Sequence, residues 1–228
     1  MATRNKKTGP RTETLERRKD ILKAAAEVFG AKGFNKGPLT EIAEQVGMTH
    51  AGILHHFGSK DHLLLEVLSY RDKADVEGLE GKHIPDGPEL FRHLIETAYR
   101  NEKRPGLVQA YAVLSAESVT DDNPGREYFE GRYVTLRSEI TAAFEVMCAE
   151  RGVRDEDKIK QAATSILAVM DGLQVQWLLD PTKVELARAS QFAIEAIMRA
   201  VLDPVQGNFL EPRVADQADH AEHSEKVD

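Results

Sequence analysis

From Leu15 onward, apolar residues recur at three- and four-residue steps. Ile21, Leu22, Ala25, Val28 and Phe29 mark one face of a helix, and Gly33 is placed to stop it. Gly37-Pro38 opens a short second helix, with Leu39, Ile42, Ala43 and Val46 inside and Gly47 at its end. Thr49 can cap a third helix carrying Ile53, Leu54 and Phe57. Ser59 can cap a fourth, carrying Leu63, Leu64, Val67 and Leu68.

Beyond a Gly/Pro-rich break from Glu80 to Glu89, the same period predicts helices over about Leu90–Asn101 and Leu107–Val119. A long helix follows over about Arg126–Arg151, with Phe129, Tyr133, Leu136, Ile140, Phe144 and Met147 on its inner stripe and Gly152 beyond it. Asp155 can cap a helix over about Glu156–Leu179, and Thr182-Lys183-Val184-Glu185 fits a capping box for a last one ending near Leu202. No run alternates with period two, so the expected class is all-α with about nine helices. Residues 1–12 read as a mobile basic arm, and residues 206–228 as an acidic, disordered tail.

Composition removes several classes. A lone cysteine, Cys148, makes neither an internal disulfide nor a thiolate zinc cage. No unbroken apolar run of membrane-spanning length occurs, and the N-terminus lacks a secretory apolar core, so a soluble cytoplasmic protein without membrane contact is expected. The net charge of −8 argues against a nucleic-acid partner until its distribution is considered. Residues 1–60 carry +5 and residues 61–228 carry −13, a basic front end on an acidic body.

That front end contains the informative segment, LTEIAEQVGMTHAGILHHFGSK, from Leu39 to Lys60. Two short helices joined at Gly47-Met48 make a helix-turn-helix, in which one helix braces another against a duplex. The second helix offers small or hydrogen-bonding residues on its open side: Thr49, His50, Ala51, Gly52 and His55. The spacing of His50, His55 and His56 does not suit a helical metal pair, so no metal site is expected.

Ile42-Ala43, Val46-Gly47 and the run from Leu54 through His55-His56-Phe57-Gly58-Ser59-Lys60 to Leu63 resemble the TetR family of transcriptional regulators. The resemblance implies a helix-turn-helix DNA-binding domain over 13–60 and a helical ligand-sensing and dimerisation domain over 61–205. It also implies a homodimer on double-stranded operator DNA and release by a small-molecule inducer, with no other cofactor. Matching positions put His50, Ala51 and Gly52 at base edges and Thr40 near a base or phosphate. They put Thr49, His55, His56, Lys60, Arg17 and Arg18 at backbone phosphates, with Arg11 as a further candidate. The chain departs from the family where Leu54 replaces a phosphate-touching tyrosine and Pro38 replaces a threonine.

The last helix has apolar residues most of the way round, from Val184 to Val201, and the one before it is similar. Such helices must be covered on more than one side, which points to a dimer built on Ile166, Leu173, Phe192 and Ile197, or else to a fully intramolecular bundle. The ligand pocket is expected between Leu90 and Trp177. Its polar candidates are Tyr99, Gln109, Tyr111, Ser115, Glu117, Tyr133, Asp171 and Gln174, with Trp177 at its edge. No nucleophile elbow, phosphate loop or carboxylate pair suggests an enzyme. A ligand-responsive repressor is the expected function, with an activator or an architectural DNA binder lacking a ligand as the alternative.

Overall fold

Caps and glycines set the helix ends. The computed structural model describes residues 10–76 and 84–203, with no side-chain description for 10–13. Among the described residues there are nine α-helices and no strand: α1 (Pro10–Lys36), α2 (Leu39–Gln45), α3 (His50–Phe57), α4 (Lys60–Val76), α5 (Pro88–Asn101), α6 (Pro105–Glu117), α7 (Arg126–Arg151), α8 (Glu156–Leu179) and α9 (Leu186–Leu202). The expected tail over 206–228 and residues 1–9 of the expected arm, with the side chain of Arg11, lie outside the described residues. Residues 10–12 are already helical.

Three expected caps form. Thr49 Oγ1 accepts the Gly52 amide at 3.1 Å, Ser59 Oγ the His62 amide at 3.0 Å, and Asp155 Oδ1 the Lys158 amide at 2.9 Å. The box at Thr182–Glu185 does not. Asp180 Oδ1 instead accepts both the amide and the hydroxyl of Thr182, at 3.0 and 2.6 Å, and turns the chain. The start of α9 is satisfied from a distance, since Glu102 Oε1 accepts the Ala187 amide at 3.0 Å. A local pattern has no access to a cap supplied by a residue so far away in the chain.

Two principal cores form. The first joins α1 to α4 through Ile21, Phe29, Ile42, Ile53, Phe57 and Leu64, and continues into Ala110, Tyr111 and Leu114 of α6 and Phe129 of α7. The expected domain boundary after Lys60 falls inside this core, because α4 packs with α1 to α3. The second joins α5, α7, α8 and α9, with Phe91 and Phe144 at a centroid distance of 4.8 Å. Each large apolar side chain buried this way contributes roughly 1.5–3 kcal/mol. α8 is long and apolar enough to cross a membrane by length and composition alone. Part of its apolarity is accounted for by the faces it packs against α6, α7 and α9.

α1 and α6 make the most extensive helix–helix contact in the fold. Gly30 permits it: a Cβ there would lie 3.0 Å from the Ala110 amide nitrogen. Three residues on, Gly33 has φ +74° and ψ 172°, a conformation open to glycine alone, and kinks the end of α1. A Cβ on Gly33 would fall 2.0 Å from Glu117 Oε1. Gly33→Ala is therefore expected to lower stability by about 1–3 kcal/mol in urea unfolding, from backbone strain and displacement of Glu117. An unchanged midpoint would show that the kink is not required.

Candidate DNA-binding face and effector cavity

α3 is two turns long, and its sequence splits it lengthwise. Ile53 and Phe57 are buried in the first core, whereas His50, Ala51 and His55 are exposed. Gly47, at φ +64°, makes the turn that sets α3 across α2, and the Met48 amide closes it on the Ala43 carbonyl at 2.8 Å. Thr40 is exposed on the first turn of α2. Thr49 is exposed but commits its hydroxyl to the cap. Gly52 is half-buried, and a Cβ there would meet the Met48 methyl at 3.0 Å. These residues lie on α2, α3 and the turn between them, two helices in contact with each other.

The cations behind them divide. Arg17 is exposed and donates to the Val46 carbonyl at 3.3 Å, which places it beside the turn. Arg18 is turned inward. Its guanidinium donates to the His56 carbonyl, pairs with Glu66 at 3.3 Å and stacks 4.3 Å from the Phe57 ring centroid. It fastens α1 to the end of α3 and to α4. Lys60 also faces inward: Nζ donates to the Asn35 carbonyl at 3.4 Å and lies 4.7 Å from the Phe34 ring centroid. Burial lowers its pKa. Arg18 and Lys60, both expected at phosphates, thus also have internal partners that a sequence does not display. His56 is half-buried, and burial, then His55, Arg18 and Arg17, lowers its pKa.

The second site is a cavity of about 670 Å³ between α4, α5, α6, α7 and α8. Tyr111, Tyr133, Asp171 and Gln174 line it. Tyr99 is exposed on the surface, with its hydroxyl 3.4 Å from Gln191. Gln109 is exposed, and Ser115 bonds back to the Ala112 carbonyl at 3.0 Å. Trp177 packs with Val108 and Leu186 instead. Glu117 lies at the far end of α6, where Oε2 accepts the Phe34 amide at 2.6 Å. These five face other surroundings because helical period alone does not say which neighbour covers a face.

The cavity wall missed by the sequence reading is ionic. Arg71 of α4 bridges Asp72 at 3.3 Å and Asp75 at 3.2 Å, and Arg104 also pairs with Asp75. Asp72 accepts Arg132 and the Tyr128 hydroxyl from α7. Arg71 stacks 4.1 Å from the Tyr111 centroid, and Arg132 donates to the Tyr111 hydroxyl at 3.3 Å. The tyrosine hydroxyls of Tyr128 and Tyr133 are pushed far up by burial and by neighbouring groups, so both stay protonated donors. The residue pair Arg71 and Asp75 at four-residue spacing was the one available signal, and it reads equally as a solvated helix face.

On the expected dimer face, Ile166 is fully buried in the second core and has no surface to offer a partner. Leu173 and Ile197 are half-buried against their own chain. Phe192 is 76% exposed, and Val175 and Leu179 of α8 are exposed as well. Among the described residues no group of histidine, cysteine or carboxylate side chains is arranged to hold a metal.

Residues 21–67 match the family model "Bacterial regulatory proteins, tetR family", and residues 89–202 match "BetI-type transcriptional repressor, C-terminal", which alone spans half of the chain. The chain belongs to the TetR family of transcriptional regulators. It is 28% identical over 209 residues to the HTH-type transcriptional regulator BetI of Rhizobium meliloti (strain 1021), covering 87% of this chain and 96% of that one. Its fold resembles the SmeT–triclosan complex, with a TM-score of 0.66, 20% identity, and coverage of 86% and 98% of the two chains. It also resembles a transcriptional regulator from Saccharomonospora viridis solved with choline, with a TM-score of 0.59, 24% identity, and coverage of 83% and 99%. Regulators of this family act on DNA and are not enzymes.

His93, buried beside the cavity, supplies a pH test. Burial, then Arg100, lowers its pKa below the ordinary 6.5, so the folded state holds the neutral form. Its contribution to stability is present in full above 6.5 and is lost as pH falls from there through the lowered folded-state pKa, because over that interval the unfolded chain binds the proton more readily. Unfolding curves across this range should show stability falling on acidification, with a shallower slope in His93→Gln. An equal slope in the two proteins would place the pH dependence elsewhere.

Proposed function

We propose that the protein is a cytoplasmic repressor that binds a pseudo-palindromic operator as a homodimer and leaves it when a small molecule enters the cavity. The observation that carries this reading is the split of α3, with an apolar face in the core and His50, Ala51 and His55 on the open side. His50 reads a base edge by hydrogen bonding, and Ala51 touches a thymine methyl. Thr40, Arg17, His55 and His56 hold the backbone, with Thr49 and Gly52 setting how closely α3 approaches it.

Two-fold symmetry follows from operator geometry, which places half-sites about 34–36 Å apart and so needs two copies of α3. The exposed apolar residues of α8 and α9, Val175, Leu179 and Phe192, supply the surface for a second copy, with Leu173 and Ile197 at its margin. The match to a BetI-type repressor C-terminal domain supports repression, and the ligands named for two structural neighbours support an effector in the cavity.

Phe192→Glu should weaken the dimer by more than about 2 kcal/mol, seen as monomers in sedimentation, and should abolish operator binding while leaving helix content intact. His50→Ala should change which base pairs are tolerated in a selection from random DNA. A dimer unmoved by the first change, or an unaltered base preference after the second, would contradict the assignment.

A further inference from the structure

The cavity distributes its charges unevenly. Asp72 and Asp75 are neutralised inside the protein by Arg71, Arg104 and Arg132. Asp171, midway along the apolar α8, forms no contact ion pair, although Arg71 and Arg132 act on it through space. Its Oδ2 accepts the Tyr133 hydroxyl at 2.5 Å, and among the described residues no guanidinium or ammonium group forms an ion pair with it. Burial is the main cause that holds its pKa above the usual carboxylate range, opposed by the Tyr133 hydrogen bond and by the fields of Arg71 and Arg132. Leu167, one turn before Asp171, and Leu136, one turn after Tyr133, line the same cavity together with Met170. The Asp171 carboxylate therefore sits beside an apolar wall, with Glu139 lining the same cavity one turn beyond Leu136.

The aromatic groups nearby are already engaged. Tyr111 carries the guanidinium of Arg71 at 4.1 Å and that of Arg132 at 5.5 Å from its centroid. Tyr128 and Tyr133 commit their hydroxyls to Asp72 and Asp171. An empty aromatic box, the usual seat of a quaternary ammonium group, is not what this cavity offers. It offers a hydrogen-bond-accepting anion, which rewards a cation that carries N–H donors. The volume of about 670 Å³ lies within the range that encloses a drug-sized molecule.

Building on the effector reading above, we propose that this cavity binds a lipophilic amine in its protonated form, its ammonium donating to the Asp171 carboxylate and its apolar body lying against Leu136, Leu167 and Met170. The chemistry separates four probes: decylamine, decanol, decyltrimethylammonium and choline. Decylamine supplies charge, N–H donors and chain. Decanol lacks the charge, decyltrimethylammonium lacks the donors, and choline lacks the chain.

Calorimetric titration of the full-length protein at neutral pH, without DNA, tests this. Decylamine should bind at least about tenfold more tightly than each of the other three, the scale of a charge-assisted hydrogen bond. Asp171→Asn should erase the preference over decanol while decanol itself binds as before. Tyr133→Phe, which frees Oδ2, should widen that preference, and it serves should the first variant fail to fold. Decanol, decyltrimethylammonium or choline matching decylamine would overturn the proposal, as would a preference that persists in Asp171→Asn or fails to widen in Tyr133→Phe. Operator release by decylamine, followed separately by fluorescence anisotropy, keeps the two readings apart. Binding without release would contradict the effector reading and leave the amine site standing, whereas equal binding of decanol would remove the amine site whatever the operator does.

Discussion

The carboxylate of Glu117 fills the corner where α1 ends and the path to α2 begins. It holds the Phe34 amide at 2.6 Å, and it occupies space that any side chain on Gly33 would claim. A backbone amide bonded to an ionised acceptor is among the stronger protein hydrogen bonds. It lies at the junction between the helix-turn-helix and the rest of the chain. Together with the close crossing of Gly30 over Ala110, it fixes α1 on α6 and thereby sets the direction in which α3 faces.

α6 also walls the cavity. Tyr111 and Glu117 are six residues apart on this helix, a rise of about 9 Å. Around Tyr111 the stack of Arg71 and the bond from Arg132 tie α4, α6 and α7 through Asp72. This ionic cluster lines the cavity, and α4 shares a core with α1 to α3. Two helices, α4 and α6, thus contribute both to the cavity and to the core that carries the DNA-binding face.

Much of this was legible in the chain itself. The three-to-four residue period located the helices, and short-range chemistry located the caps at Thr49, Ser59 and Asp155, because a cap and its amide are three residues apart. The open face of α3 was legible for the same reason: Ile53 and Phe57 point one way, and His50, Ala51 and His55 the other. What escaped was every feature that depends on a distant partner. Glu102 capping α9, Glu117 at the α1–α2 corner, Arg18 and Lys60 turned onto Phe57 and Phe34, and the arginines that share Asp72 are all long-range pairings. Ile166 shows the same limit in the core. An apolar helix announces burial, but not whether its own chain or another one supplies the cover.

The most direct test is operator affinity in Glu117→Ala, measured beside circular dichroism and sedimentation. Loss of the carboxylate should weaken operator binding by at least about tenfold while helix content and oligomeric state stay as they were, because the recognition helices lose their fixed direction. Operator affinity equal to that of the unmodified chain would show that α3 is oriented by something other than the α1–α6 junction.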